Sequence, residues 1–222
     1  MMGGHLPLDV AHLFAGGLVL ASFMLLYQDR MFSLINVFAL HALVVSMSVA
    51  WQAHIQNAPH LYITAMIALV VKALVIPVVL HRIIVKLGIH RDIETVVGIG
   101  QTMLAGIALV ALSIVVMLPV TAAAGTLVRE DLSFALAVIL LGLLMMVSRR
   151  NALGQVIGFM SIENGLILAA TGAEGMPLVV EISVAFSILI ALIVIGIFLF
   201  RIRERFDTVD SHALDRFRGE RL

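Results

Sequence analysis

Residues 149–168, RRNALGQVIGFMSIENGLIL, form an apolar segment with the carboxylate of Glu163 at its middle. Its length predicts a helix across a bilayer, because about 20 apolar residues span the hydrocarbon core. Glu163 would then lie where a charged side chain costs roughly 2.5–3.5 kcal/mol on insertion scales. A cost of that size indicates a partner inside the helix bundle or a function.

The composition of the whole chain is that of an integral membrane protein. Hydrophobic residues make up 62% of the 222 residues, charged residues 13%, and the mean hydropathy is +1.13. A soluble domain is about half apolar and about a quarter charged. The chain has no cysteine, which excludes disulfides and thiolate-held iron–sulfur clusters, and we expect no cofactor in this chain.

Hydropathy predicts an all-α polytopic fold with seven transmembrane helices joined by short loops. The first apolar run follows no basic region and no clear cleavage site, so we expect it to remain as a span. The predicted spans are Pro7–Tyr27, Met31–Ile55, Leu61–Val85, Thr95–Leu118, Leu132–Val147, Ala152–Ala173 and Leu178–Phe200.

The basic residues predict the orientation. With seven spans, twelve of the 14 Lys and Arg residues fall on one side, whereas Arg129 falls on the other and Lys72 lies within a span. The positive-inside rule makes the crowded side cytoplasmic. The N-terminus is therefore predicted outside and the C-terminus inside, in a multi-pass protein of the cell inner membrane.

One transmembrane domain, residues 1–200, and a basic cytoplasmic tail, 201–222, describe the predicted domain organisation. A shift of 119 residues lays Arg30 on Arg149 and Ile63 on Ile182 without a gap. Helices 1–3 are thus a candidate weak repeat of helices 5–7, about residues 130–200. Parallel repeats of this kind occur in transport proteins.

Ionisable and polar residues inside the spans are the candidates for a proton path. Lys72 lies near the centre of the third span, and Pro77 is expected to kink that helix. Glu181 and Ser187 lie in the seventh span. His41, mid-way along the second span, titrates near neutral pH in its unperturbed state.

The sixth span is predicted to have two faces. Small residues form a packing stripe that lets a neighbouring backbone approach; its members are Gly154, Gly158, Ser161, Gly165 and Gly172. Glu163 lies about 200° around the helix from Gly165, so it should face a different neighbour, together with the adjacent Asn164.

A static interpretation remains open for these residues. Lys72 could form a structural ion pair with Glu163 or Glu181 that fixes the helix register and transports no proton. A lone histidine such as His41 is more often a hydrogen-bonded core residue than a relay. For carboxylates inside a membrane, by contrast, a functional role is the default.

The chain resembles the hydrogenase-4 component E family. The matching pieces are VVKALVIPVVL at 70–80, SRRNALGQVIGFMSIENG at 148–165, PLVVEI at 177–182, and a tail with Asp210, Leu214 and Gly219. The three C-terminal helices are also similar to the K subunit of respiratory complex I, which has RRN-type residues before a glutamate-bearing helix.

The resemblance implies a membrane-arm subunit of an energy-converting nickel–iron hydrogenase or formate hydrogenlyase-type complex. Its partners would be antiporter-like subunits, the subunit that anchors the hydrogenase module, and the lipid bilayer, with no nucleic acid. Buried carboxylates would couple electron transfer to proton or cation movement. The rivals are an inert spacer with static ion pairs and a subunit of a multisubunit cation/proton antiporter.

The acidic residues are displaced from the pattern of these relatives. The glutamate position of the K subunit's second helix falls on Met160, one turn before Glu163. The third-helix position falls near Ile188, two turns after Glu181, and Ser187 stands where an acidic residue can occur in component E proteins. These shifts leave open whether the chain conducts protons or supports neighbouring subunits.

Overall fold

The structure is a computed structural model that describes residues 6–87, 97–120 and 126–172, together with 189, 190 and 193. Over these residues the secondary structure is helical. The helices are α1 (Leu6–Tyr27), α2 (Met31–Ile55), α3 (Pro59–Ile67), a π-helical segment (Ala68–Val75), α4 (Ile76–Leu87), α5 (Ile99–Val120), α6 (Thr126–Ser148) and α7 (Ala152–Gly172).

Within the described part of the chain, six helices are long and apolar enough to cross a membrane. Because α3, the π-helical segment and α4 run on without a break, they form one of these six spans, Pro59–Arg82. The protein is therefore a multi-pass membrane protein. Six of the seven predicted spans are confirmed, and the seventh, Leu178–Phe200, lies outside the described residues except for 189, 190 and 193.

Two predicted spans differ at their ends from the helices that contain them. The fourth was predicted at Thr95–Leu118, and the helix is Ile99–Val120. The fifth was predicted to be short, at Leu132–Val147; the apolar span is Asp131–Ser148, and the helix that contains it, α6, begins earlier, at Thr126. Hydropathy alone ends this fifth span at its charged residues, whereas the helix continues through them.

The core is a ring of four helices in which α1 packs on α2 and α6, and α7 packs on the same two helices. The α3–α4 span lies outside this ring against α2, and α5 lies outside it against α6 and α1. Of the six spans α7 is the most buried and α5 the least. Residues of α7 are thus positioned to meet side chains from several helices.

A tight turn joins α2 to α3. Asn57 takes a left-handed backbone conformation with φ of 52°, which asparagine tolerates better than most residues. The amide of Ala58 donates to the carbonyl of Ala53 at 3.1 Å, the bond that closes a Schellman motif. Pro59 follows in the first turn of α3, where its missing N–H is not needed.

The contacts define two ends of the bundle. At the first end, Arg149 Nη2 donates to the carbonyls of Leu25 and Leu26 at 3.2 and 2.8 Å; we call this the Arg149 end. At the other, Gln56 Nε2 donates to the carbonyl of Thr171 at 2.7 Å; we call this the Gln56 end. The turns that carry Arg30 and Arg149 therefore share one end, as the charge pattern predicts.

Candidate functional site

The side chains of Lys72 and Glu163 meet in the interior of the bundle. Lys72 Nζ lies 3.2 Å from Glu163 Oε1, and the two side chains are 2% and 3% exposed. The sequence analysis gave Glu163 and Glu181 as possible partners of Lys72, and Glu163 is the partner in the structure. Glu181 and Ser187, the candidates of the seventh span, lie outside the described residues.

Lys72 lies within the π-helical segment Ala68–Val75. The π register is shown by the amide of Ile76, which donates to the carbonyl of Val71, five residues back. The next residue, Pro77, has no N–H to give to the Lys72 carbonyl in the same register. A wider helical turn therefore precedes the proline at which the sequence predicts a kink. π-Turns are rare and are frequent at functional sites.

A line of hydrogen bonds runs from Lys72 through three helices. Lys72 Nζ donates to Asn164 Oδ1 at 2.9 Å, and Asn164 Nδ2 lies 2.9 Å from His41 Nδ1. His41 Nε2 lies 3.0 Å from Ser22 Oγ, which donates to the carbonyl of Leu18 at 2.9 Å. His41 and Asn164 are fully buried. We call this line the Lys72–Ser22 chain.

The hydrogen-bond partners assign the tautomer of His41. The amide nitrogen of Asn164 can only donate, so Nδ1 accepts. The hydroxyl of Ser22 is used toward Leu18, so Nε2 carries the proton and donates to Ser22 Oγ. His41 is therefore a neutral imidazole, and every donor in the Lys72–Ser22 chain points away from Lys72.

This assignment separates the roles of the candidate residues. An amide such as that of Asn164 holds its hydrogens on nitrogen and has no ionised form in the range of the other groups. Between Lys72 and His41 it therefore transmits orientation rather than a proton. The group that can exchange protons at this site is the Lys72–Glu163 pair, and His41 holds Asn164 in position.

Two members of the packing stripe of α7, Gly158 and Gly165, lie against α6, on a different side from Glu163, as predicted. A methyl group on Gly158 would lie 3.0 Å from the carbonyl oxygen of Gly142, and one on Gly165 would lie 3.0 Å from that of Ala135. Ser161 was predicted to belong to this stripe. Its hydroxyl instead lies 3.3 Å from His41 Nε2, because the stripe's edge reaches the α2 side.

A second buried polar cluster lies at the Gln56 end. Gln52 Nε2 donates to Asp131 Oδ2 at 3.0 Å, and Gln56 Nε2 donates to Gln52 Oε1 at 3.2 Å as well as to the Thr171 carbonyl. Gln52 and Asp131 are each 1% exposed. Sequence reasoning missed this cluster because Asp131 lay just outside the predicted fifth span. The spacing of His41, Ser48 and Gln52 along one face of α2 was the available signal.

The residues between α6 and α7 contact the last turn of α1 and the first turn of α7. Asn151 precedes α7, and its Oδ1 accepts the amide of Gly154 at 2.5 Å, an N-cap contact. Arg149, whose side chain the sequence placed at a cytoplasmic surface, is buried against the last carbonyls of α1. Burial lowers the pKa of the Arg149 guanidinium, and the negative charge of Asp29 opposes that shift.

Comparison with curated proteins gives relatives over most of the chain. An uncharacterized protein of Mycobacterium tuberculosis is 28% identical over 208 residues, 92% of this chain and 94% of that protein. Hydrogenase-4 component E of Escherichia coli is 32% identical over 166 residues, 73% of this chain and 76% of its own length. The chain belongs to the hydrogenase-4 component E family.

The component E protein of Shigella flexneri gives the same identity and coverage. The family membership agrees with the resemblance carried by the segments around Lys72 and Glu163. No family model matches the chain, and no solved structure is similar to it.

Proposed function

We propose that this protein is a membrane-arm subunit of an energy-converting hydrogenase-type complex. In this proposal the Lys72–Glu163 pair contributes to proton (or cation) translocation coupled to electron transfer in the peripheral arm. Membership of the component E family supports the kind of complex, and the six spanning helices support a place in its membrane part.

The observation that carries the proposal is a buried ion pair whose lysine lies in a π-helical segment and whose glutamate lies in α7. Removing two charges from water costs several kcal/mol for each ion, and their attraction repays this only with good geometry. Apolar residues would hold the α3–α4 span and α7 together without that desolvation cost. The carboxylate and ammonium of Glu163 and Lys72 are also groups that can gain or lose a proton, which apolar residues cannot do.

We also propose a seventh span, an orientation in the membrane and a set of neighbouring subunits. The seventh span carries Glu181 and Ser187, the N-terminus lies outside, and the C-terminal tail lies in the cytoplasm of an inner membrane. Antiporter-like subunits and the subunit that anchors the hydrogenase module are the proposed neighbours in the membrane arm.

A structural spacer is the second candidate, and one observation favours it. Lys72 has two close partners, Glu163 and Asn164, and Asn164 is itself fixed by His41. So complete a set of contacts also suits a static pair that sets the register of the helices.

Glu163→Gln in the intact complex tests the proposal, because glutamine keeps the shape but cannot titrate. We expect normal assembly and hydrogenase turnover in uncoupled membranes, with translocation about a hundredfold slower, the low end of what a proton-transferring group contributes. Ion movement per hydrogen turned over, measured in sealed vesicles, is the readout. Asp29→Asn, a change at an exposed carboxylate, is the control.

Two results would count against this role. Failure of the Glu163→Gln complex to assemble would favour the spacer, since removal of one charge strands its buried partner at roughly 3–5 kcal/mol. Assembly with undiminished translocation would place the path elsewhere.

A further inference from the structure

The buried guanidinium of Arg149 has hydrogen-bonding capacity that the fold does not use. Its Nη2 donates to the carbonyls of Leu25 and Leu26 at the end of α1. Its Nε and Nη1 are buried and have no acceptor in the described part of the chain, and Arg149 as a whole is 2% exposed. The contacts to two neutral carbonyls leave the positive charge without a close counterion, which is costly for a buried group. An anion beside Arg149 would remove this cost.

A second arginine lies beside Arg149. Arg30, in the turn between α1 and α2, and Arg149, in the turn between α6 and α7, are the two residues in the described ranges with isolated β-bridge geometry. This geometry places the two turns side by side, in agreement with the hydrogen bond from Arg149 to the Leu26 carbonyl. Like charges opposite each other in such a pair are destabilising. An anion that both arginines share would replace this repulsion by attraction.

The turn after α6 presents further donors. Asn151 Nδ2 is a buried donor without an acceptor among the described residues, and Arg150 is exposed beside it. α7 begins directly after this turn, and the N-terminal end of a helix carries a partial positive charge. The unpartnered nitrogens of Arg149 thus belong to a group of donors at the start of a helix, an arrangement that binds anions.

The two turns carry an excess of positive charge. Residues 28–30 and 149–151 contain three arginines and one carboxylate, that of Asp29, so their net charge is +2. Asp29 acts on Arg149 through its charge but does not reach the unpartnered nitrogens. Both turns lie at the ends of membrane spans, α1 and α2 for one and α6 and α7 for the other. The excess charge therefore lies at the depth of the phospholipid headgroups.

We propose that Arg30, Arg149 and Arg150 bind the phosphate group of an anionic phospholipid at the Arg149 end of the bundle. A phosphodiester has two non-bridging oxygens that share one negative charge, and arginine suits such an anion because its planar guanidinium presents several N–H groups. Basic pockets between transmembrane helices bind anionic headgroups on the cytoplasmic side, which is the side predicted for these turns. This inference does not depend on translocation through the Lys72–Glu163 pair.

Arg149 lies directly below the surface of this site. Its neighbours in the two turns, Asp29, Arg30 and Arg150, are all exposed, so the headgroup binds first to side chains at the surface. Rotation of these side chains then admits a phosphate oxygen to Arg149 Nε or Nη1. The bound headgroup holds the α1–α2 pair against the α6–α7 pair at this end, in addition to the two hydrogen bonds from Arg149 to α1.

The test is the affinity of the delipidated complex for phosphatidylglycerol, measured by native mass spectrometry. Arg30→Gln and Arg150→Gln each remove one exposed charge, and Arg149 stays in place because it also binds the end of α1. We expect each variant to raise the Kd about tenfold, the loss of one charge-assisted hydrogen bond. Arg82→Gln is the control, an exposed arginine at the same end but on the span outside the central ring, and its Kd should not change.

Phosphatidylcholine and inorganic phosphate identify the source of the anion. Binding of phosphatidylcholine as tight as that of phosphatidylglycerol, or displacement of phosphatidylglycerol by inorganic phosphate, would overturn the assignment to an anionic lipid. An unchanged Kd in both Arg30→Gln and Arg150→Gln, or an equal rise in Arg82→Gln, would overturn the site itself. A carboxylate of a neighbouring subunit bound to Arg149 in a structure of the intact complex would also overturn it.

Discussion

Lys72 and Glu163 each offset the cost of burying the other. An ammonium or a carboxylate alone in the interior would lose its hydration without replacement, whereas the pair retains a 3.2 Å contact and the hydrogen bond from Lys72 to Asn164. The two residues are thus energetically coupled, and the stability of either one depends on the presence of the other.

A double-mutant cycle measures this coupling. Lys72→Met and Glu163→Gln should each lower the thermal midpoint of the assembled complex, because each leaves one buried charged or polar group without its partner. The double variant should be less destabilised than the sum of the two. The readout is the thermal midpoint of the solubilised complex. Additive losses would show that the contact contributes no coupling.

Sequence reasoning at this scale identified the central residues but not their arrangement. A lysine and a carboxylate inside apolar spans can be predicted to meet, because neither is stable alone in lipid. That His41 holds Asn164 in position, and that Lys72 lies in a π-turn, depends on packing between helices. Asp131 was missed because the span that contains it was predicted to begin one residue later, at Leu132.

At the scale of the elements, α6 and α7 approach each other through glycines. A methyl group placed on Gly142 or Gly158 would lie 2.9–3.0 Å from backbone atoms of the opposite helix, which cannot move aside as a flexible side chain can. The close approach fixes the rotation of α7, and that rotation points Glu163 toward the α3–α4 span.

Gly158→Ala should therefore separate α6 from α7. We expect a loss of roughly 1–3 kcal/mol from overpacking and a lower thermal midpoint of the complex. Gly16→Ala is the control, because a methyl group there meets no atom within 4 Å. Equal stability of the two variants would mean that the α6–α7 contact tolerates a wider spacing than the structure has.

The helices themselves were largely predictable, and for a physical reason. Long apolar runs such as Met31–Ile55 have one stable form in a bilayer, where backbone groups must be satisfied within the segment, and α2 has the predicted bounds. Hydropathy shows which residues are apolar but not which helices pack together or in what register. The four-helix ring and the π-helical segment could therefore not be predicted from it.

For the whole molecule, the two ends of the bundle should face opposite compartments. The chain has no cysteine, so single substitutions Asp29→Cys and Asn57→Cys report without background. An impermeant thiol reagent added to intact cells should label Asn57→Cys, at the Gln56 end, and not Asp29→Cys, at the Arg149 end. Labelling should reverse in inside-out vesicles, and labelling of both variants from one side would contradict the arrangement.

The single direction of donation in the Lys72–Ser22 chain makes its members cooperative. If the Asn164 amide turned over, its nitrogen would face the ammonium of Lys72 and its oxygen would face a nitrogen of His41 that carries no hydrogen. The imidazole proton would have to change nitrogen at the same time. Because an amide nitrogen cannot accept from an ammonium, that arrangement requires an uncharged Lys72. The charge of Lys72 is therefore linked to the tautomer of His41 on another helix.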